Sequence, residues 1–205
     1  MHPEISTLPS KLFYDGRLKD GPDMAANRLM PWHSNTLFKP YRFFDVADGR
    51  EETSRAFSQL NRAEVKVAIT LYERLHQEFS SKLDLDRRIG IIAMYDAQKR
   101  ELQREFAARF TNDILTRIDF GTVDGFQGQE KDIIIVSCVR AGPGVQKIGH
   151  LVDIRRMNVA LTRAKCSLLI LGHAATLERS NDMWAKIVTD ARDRSCLIVS
   201  NNHHQ

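Results

Sequence analysis

The sequence predicts an α/β fold in which a mostly parallel sheet is covered by helices on both faces. Short apolar runs alternate along the chain with longer segments of helical periodicity, the pattern of strand–helix–strand units. The strongest run, Ile133 to Val139, is apolar but for Ser137 and rich in β-branched residues, which marks a strand buried on both faces. With 205 residues there is room for one domain with a proper core and too little for two of ordinary size.

The segment from Met1 to Pro40 is expected to be an irregular lead-in, because Pro3, Pro9, Pro22, Pro31 and Pro40 interrupt it and Gly16 and Gly21 add turns. Leu8, Leu12, Phe13, Leu18 and Trp32 give it enough apolar surface to pack on the remainder. The domain proper is placed at 41–200, and 201–205 is a polar tail. Phe43 to Val46 reads as a short strand. Asn61, followed three residues later by Glu64, has the form of a capping box. The helix it opens carries Val65, Ala68, Ile69, Tyr72, Leu75 and Phe79 at helical spacing. Ile89 to Met94 reads as a buried strand, followed by an amphipathic helix with Leu102, Phe106 and Phe110 on one face. After Ile133 to Val139 come a loop at Ala141 to Gly149, a helix across Arg156 to Arg163 and a strand at Ser167 to Leu171. A last helix is centred on Trp184, Ile187, Val188 and Ala191.

Hydrophobic residues at 42% and charged residues at 27% exclude a disordered or fibrous chain. No apolar run reaches the roughly 20 residues that span a bilayer. The start, MHPEISTLPS, lacks the basic and apolar regions of a secretory signal, so an intracellular protein is expected. Cys138, Cys166 and Cys196 lie far apart beside apolar runs and read as buried free thiols. The histidines are scattered without ligand spacing, which gives no reason to expect a metal site. A net charge of +4 leans mildly towards a polyanionic partner.

Two stretches concentrate the residues that handle phosphate. Thr122 to Asp132, TVDGFQGQEKD, places Gly125 and Gly128 among Asp124, Gln127, Gln129 and Glu130 just before the strongest strand. Composition alone reads it as a polar turn; a backbone turn brought close to a ligand is the alternative. Arg155 to Lys165, RRMNVALTRAK, interleaves Arg155, Arg156, Arg163 and Lys165 with Met157, Val159 and Leu161. One side of such a helix faces a core, and the other can present Arg163 to a phosphate. No segment has the GxxxxGK loop followed by Ser or Thr that would cradle a nucleotide. The nearest, Gly142 to Lys147, lacks the second glycine, the Gly-Lys pair and the hydroxyl. HExxH and GxSxG are absent too, so the chain shows no complete hydrolytic site of its own.

IGIIAMYDAQ at 89–98, TVDGFQGQEKDIIIVSCVRA at 122–141 and RRMNVALTRAK at 155–165 resemble motifs IV, V and VI of superfamily 1 helicases, in order. MHPEIS resembles the end of the YRMHP element that opens the second RecA-like domain in the senataxin and upframeshift branch of superfamily 1B, and FYDGRLKDG suits the same branch. The resemblance covers nearly the whole chain. It implies a single RecA-like, P-loop-NTPase-like domain without a Walker A loop.

The resemblance further implies an ATP-dependent RNA or DNA helicase in which ATP, with Mg2+, is bound mainly by a first RecA-like domain and closed over by this one. Arg163 then matches the arginine finger, Glu130 the acid associated with the ribose, and Gln127, Gly128 and Tyr95 further nucleotide-side positions. Thr122, Asp124 and Gln98 match positions facing a single strand of RNA or DNA. Ala93-Met94 stands where motif IV usually has Ser-Pro. The family's tyrosine and arginine before MHP would lie upstream of Met1, and the first domain would come from a longer chain or a partner. On this reading the chain does not turn over ATP alone, and senataxin-like kinship implies a nuclear location. The alternatives are a catalytically inactive nucleic-acid-binding or regulatory fragment and a truncated gene product.

Overall fold

The computed structural model describes residues 1–200; the tail expected at 201–205 lies outside the described residues. Six parallel strands form one sheet: β1 (Tyr41–Asp45), β4 (Ile89–Ala93), β5 (Asp119–Thr122), β6 (Lys131–Ser137), β7 (Ala164–Gly172) and β8 (Leu197–Val199). Their spatial order is β5-β4-β6-β7-β1-β8, and all five pairings are parallel. A two-stranded antiparallel hairpin, β2 (Glu52–Thr53) and β3 (Gln59–Leu60), stands apart.

Because side chains alternate along a strand, each central strand feeds two cores. Phe43, Ile134, Val136, Leu168 and Ile170 go to one core, with α1 (Pro3–Phe13), α6 (Ile154–Leu161), α7 (Ala174–Ser180) and α8 (Asp182–Asp193) over it. Phe44, Ile133, Ile135, Leu169 and Leu171 go to the other, under α3 (Arg62–Phe79) and α4 (Asp96–Phe110). Continuous burial of these runs is what the sequence pattern anticipates for a sheet covered twice.

The lead-in is more regular than its prolines suggest. Pro3 sits in the first turn of α1, where its missing N–H costs nothing, and the His2 imidazole caps that turn by accepting from Glu4 N at 3.2 Å. Only Pro9 interrupts the helix interior. A short helix, α2 (Met24–Asn27), and two 3₁₀ turns then lead to β1, as another short helix, α5 (Ile114–Arg117), leads to β5. The Trp32 indole donates to Ser167 Oγ at 3.0 Å, and His2 N donates to Lys165 O at 2.8 Å, so the lead-in clasps the start of β7. His33 completes the clasp. Its Nδ1 accepts from Met30 N at 3.1 Å, while Nε2 lies 3.1 Å from Cys166 O and 3.0 Å from Ser167 Oγ. Trp184 is buried as well and donates to Leu151 O at 2.9 Å; both tryptophans are packing residues.

The capping box expected at Asn61 is only half made. Asn61 accepts from Ala63 N at 3.1 Å and Glu64 N at 3.4 Å, but the Glu64 carboxylate turns into the protein. There it accepts from Ser137 Oγ at 2.5 Å and from Val139 N at 3.0 Å. The demand of the β6 terminus outweighs the local cap, because those buried donors have no water to turn to. Burial pushes the Glu64 carboxyl up to about 8, against the opposing pull of Ser137 and the Val139 N–H.

Two outcomes follow. Glu64→Ala is expected to cost about 3 kcal/mol, since it leaves a cavity and orphans buried donors; urea unfolding should show a lower midpoint at unchanged slope. Burial, with His2 alongside, lowers the His33 imidazole from 6.5 to about 4. The unfolded chain therefore takes up a proton below pH 6.5 that the folded chain refuses until about pH 4. Its contribution to stability is full above pH 6.5 and should shrink by about 2 kcal/mol by pH 5. The checking measurement is the pH dependence of stability, wild type minus His33→Gln.

Candidate functional site

The predicted site residues gather at opposite poles of the sheet. Ser137, the last residue of β6, is six residue steps along the strand from Lys131, which pairs with Ala164, so the poles lie about 20 Å apart. A sheet of this class is expected to collect its chemistry at the carboxyl ends of the strands. Here that holds for only one pole.

At the amino ends of β6 and β7, the turn Gln127 to Glu130 meets Arg163. Gly128 has φ +80, a left-handed conformation that glycine adopts without steric cost. Gln129 N donates to Phe126 O at 3.0 Å, and Gln129 Nε2 donates to Gly125 O at 3.0 Å, closing the turn on itself. Arg163 lies beyond α6, whose cap is Thr162, so the helix expected across Arg156 to Arg163 starts two residues earlier and ends two residues sooner. The shift frees the Arg163 side chain from the helix.

The half-buried Arg163 guanidinium donates to Val159 O at 3.1 Å, to Gln129 O at 3.3 Å and to Thr162 Oγ1 at 3.0 Å. All three acceptors are neutral. Glu130, one residue beyond Gln129, is exposed and has no partner among the described residues. An arginine held by neutral oxygens keeps its charge available, and a phosphate would be the better partner for its planar fork.

At the carboxyl ends of β4 and β5, a polar cavity of about 340 Å³ is lined by Tyr95, Thr122 and Asp124 together with Ser58, Asp96, His150 and Arg156. Tyr95 Oη donates to Ile148 O at 2.9 Å and accepts from Arg140 Nη1 at 3.3 Å. Burial raises its hydroxyl above the ordinary tyrosine value, against the pull of Arg140. Arg156 pairs with Asp124, and both line the cavity. Two larger grooves, of about 470 and 520 Å³, carry none of the predicted site residues.

Gln98 and Tyr95 do not sit with the residues they were grouped with. Gln98, expected to face nucleic acid, is fully buried: it accepts from Asn61 N at 2.7 Å and donates to Asn61 O at 3.1 Å and Ser137 Oγ at 2.9 Å. Its amide is consumed by the fold, because position 98 falls on the inner face of α4. Tyr95, grouped in the expectation with Gln127, Gly128 and Glu130, lies instead at the opposite pole from them and shares the cavity with Thr122 and Asp124. Ser58 and His150 were not anticipated as lining residues. Their sequence distance from motifs IV and V carries no signal of the proximity that the hairpin and the loop after β6 create.

The segment Thr122 to Lys131 joins the poles by running back along the sheet. Phe126 fastens it. A Cβ on Gly121 would meet the Phe126 ring at 2.6 Å, and one on Gly90 would meet it at 2.8 Å, so two strand glycines make the ring's seat.

The AAA domain family AAA_12 matches residues 1–175. The chain belongs to that family. It is 49% identical to the helicase SEN1 of Saccharomyces cerevisiae over 98% of this chain and 9% of that protein. It is 38% identical to the probable helicase senataxin of Homo sapiens over 97% of this chain and 7% of that one. The ATP-dependent helicase NAM7 of Saccharomyces cerevisiae is 35% identical over 97% of this chain and 20% of its own length. The chain thus spans no more than a fifth of these relatives. The crystal structure of the C-terminal domain of a possible DNA helicase from Lactobacillus plantarum WCFS1 has the same fold, with TM-score 0.53 and 12% identity over 97% of this chain and 96% of that one. The fold is that of a single RecA-like domain, and the sequence groups with the Sen1 and senataxin helicases. No helix among its described residues is long and apolar enough to cross a membrane.

Gly121→Ala should evict the Phe126 ring and cost about 1 to 3 kcal/mol in stability. Hydrogen exchange should report the damage chiefly in residues 122–130, whereas Gly144→Ala, which meets nothing within 4 Å, should leave both stability and exchange there unchanged.

Proposed function

We propose that this domain supplies the second wall of a helicase ATP site and part of the track for a single strand of RNA or DNA. The observation that carries the reading is Arg163, held by neutral acceptors next to the unpaired Glu130. Docked against a first RecA-like domain, in cis or in trans, the guanidinium would reach the γ-phosphate and Glu130 the ribose side. Gln127 and Gly128 would shape the turn between them. Among the described residues no group of histidines, cysteines or carboxylates could hold a metal. The Mg2+ that accompanies ATP would be held mainly by that first domain. The cavity at the other pole, with Thr122, Asp124 and Tyr95, is the strand-facing part, and Arg156, which pairs there with Asp124, would share its charge with a phosphate of the strand. By kinship with senataxin the working place is the nucleus.

The cavity is built entirely from this chain, which favours a second reading: a nucleic-acid-binding module without turnover. One experiment separates the two. The chain alone is expected to hydrolyse no ATP, with or without single strands. Supplied with the first RecA-like domain of a relative, it should give strand-stimulated hydrolysis that Arg163→Ala lowers by roughly 10³ to 10⁵ while strand affinity stays put. Turnover by the isolated chain that Arg163→Ala abolishes would contradict the shared-site reading, and strand binding with no turnover in the pair would leave the binding module.

A further inference from the structure

The β2–β3 hairpin ends in an aromatic side chain for which the fold has no use. Phe57 is 89% exposed, far more than any other large apolar residue described. Its backbone has φ +56, a conformation that is unfavourable for a bulky residue. Strained backbone and an unburied ring are two costs at one position, which is the pattern of a position kept for contact with something else.

The ring is held out by a fixed turn. Phe57 N donates to Ser54 O at 3.0 Å, Ser54 N to Ser58 O at 2.8 Å and Ser58 N to Ser54 Oγ at 3.2 Å. Below the turn, Arg62 bridges Glu52 of the hairpin at 2.6 Å and Glu101 of α4 at 2.9 Å. The next residue, Ser58, lines the polar cavity, and its Oγ accepts from Ala97 N at 3.1 Å. Adjacent Cα atoms are about 3.8 Å apart, so the exposed Phe57 is carried on the backbone next to a residue that lines that cavity.

The surroundings decide what the ring meets. Its neighbours Ser54, Arg55, Ala56 and Ser58 make no apolar patch of the size a protein partner needs. The two carboxylates of the cavity are already neutralised, Asp96 by Lys99 and Arg100 and Asp124 by Arg156. Arg55 stays exposed, with no ion pair among the described residues. A single ring face beside an unpaired cation and a polar cavity suits a nucleobase whose phosphates lie in that cavity. We propose that Phe57 stacks on a base of the single strand, giving the track an aromatic platform outside motifs IV, V and VI. The proposal rests on the cavity being the strand-facing site.

The test measures binding of a labelled oligouridylate, and of the same strand carrying abasic sites, to the 205-residue chain. Phe57→Ala should weaken the intact strand by about 5- to 100-fold without changing the salt slope, because the lost contact is uncharged. The abasic strand should bind wild type and Phe57→Ala equally. Phe57→Trp should keep the affinity and lose indole emission when the strand is added. Arg156→Ala should lower the salt slope by about one. If Phe57→Ala binds like wild type and Phe57→Trp is not quenched while Arg156→Ala still weakens binding, the stack is refuted and the cavity reading stands. If wild type binds no single strand at any salt, the cavity reading itself fails and the stack falls with it.

Discussion

The end of β6 is held by a buried polar knot, and the cavity at that pole depends on it. Glu64, Asn61, Gln98 and Ser137 are all removed from water and bonded to one another. Between them lies Val139 at φ +75, an unfavourable conformation for a β-branched residue. The Glu64 carboxylate accepts its N–H, and Asn61 Nδ2 donates to its carbonyl at 3.1 Å, so both backbone groups are clamped by side chains of one helix start. The turn so enforced sends the chain to Arg140, which forms a two-point pair with Glu51 at 2.6 and 3.1 Å and reaches Tyr95. One carboxylate thus ties α3, α4 and β6 to the wall of the cavity.

The sheet then sets the distance between two chemistries. Its strands are stiff, buried on both faces and parallel, so what stands at one end cannot drift towards the other. The segment from Thr122 to Lys131 touches both poles, and Phe126 pins its middle between Gly90 and Gly121. A shift of the Gln127 to Glu130 turn would therefore have to pass the Phe126 anchor before reaching Thr122 and Asp124. In the proposed function this is the physical connection between nucleotide and strand.

Part of this was legible in the residues. Continuous β-branched runs announced strands buried on both faces, and the motif stretches announced the family. The errors have particular causes. Asp119 to Thr122 and Leu197 to Val199 are too short and too polar or exposed to read as strands, yet neighbours with free edges recruit them. Pro3 and Pro9 read as breakers, although Pro3 is in the first turn of a helix. Gln98 carries a polar amide suited to a ligand, and only the folded chain shows that Asn61 and Ser137 have used it.

By itself the sequence determined the α/β class, the two-faced burial of the central strands, the family and the stretches that supply the candidate site. These are properties of local pattern and residue chemistry, which the chain carries wherever it goes. Only the tertiary structure decided that Arg163 and Glu130 share one pole, that Tyr95 belongs with Thr122 and Asp124 at the other, and that Glu64 turns inward instead of capping its helix. Each of these depends on which distant groups are brought together and shut away from water. A buried donor must find an acceptor wherever in the chain that acceptor lies, and no local pattern records where that is.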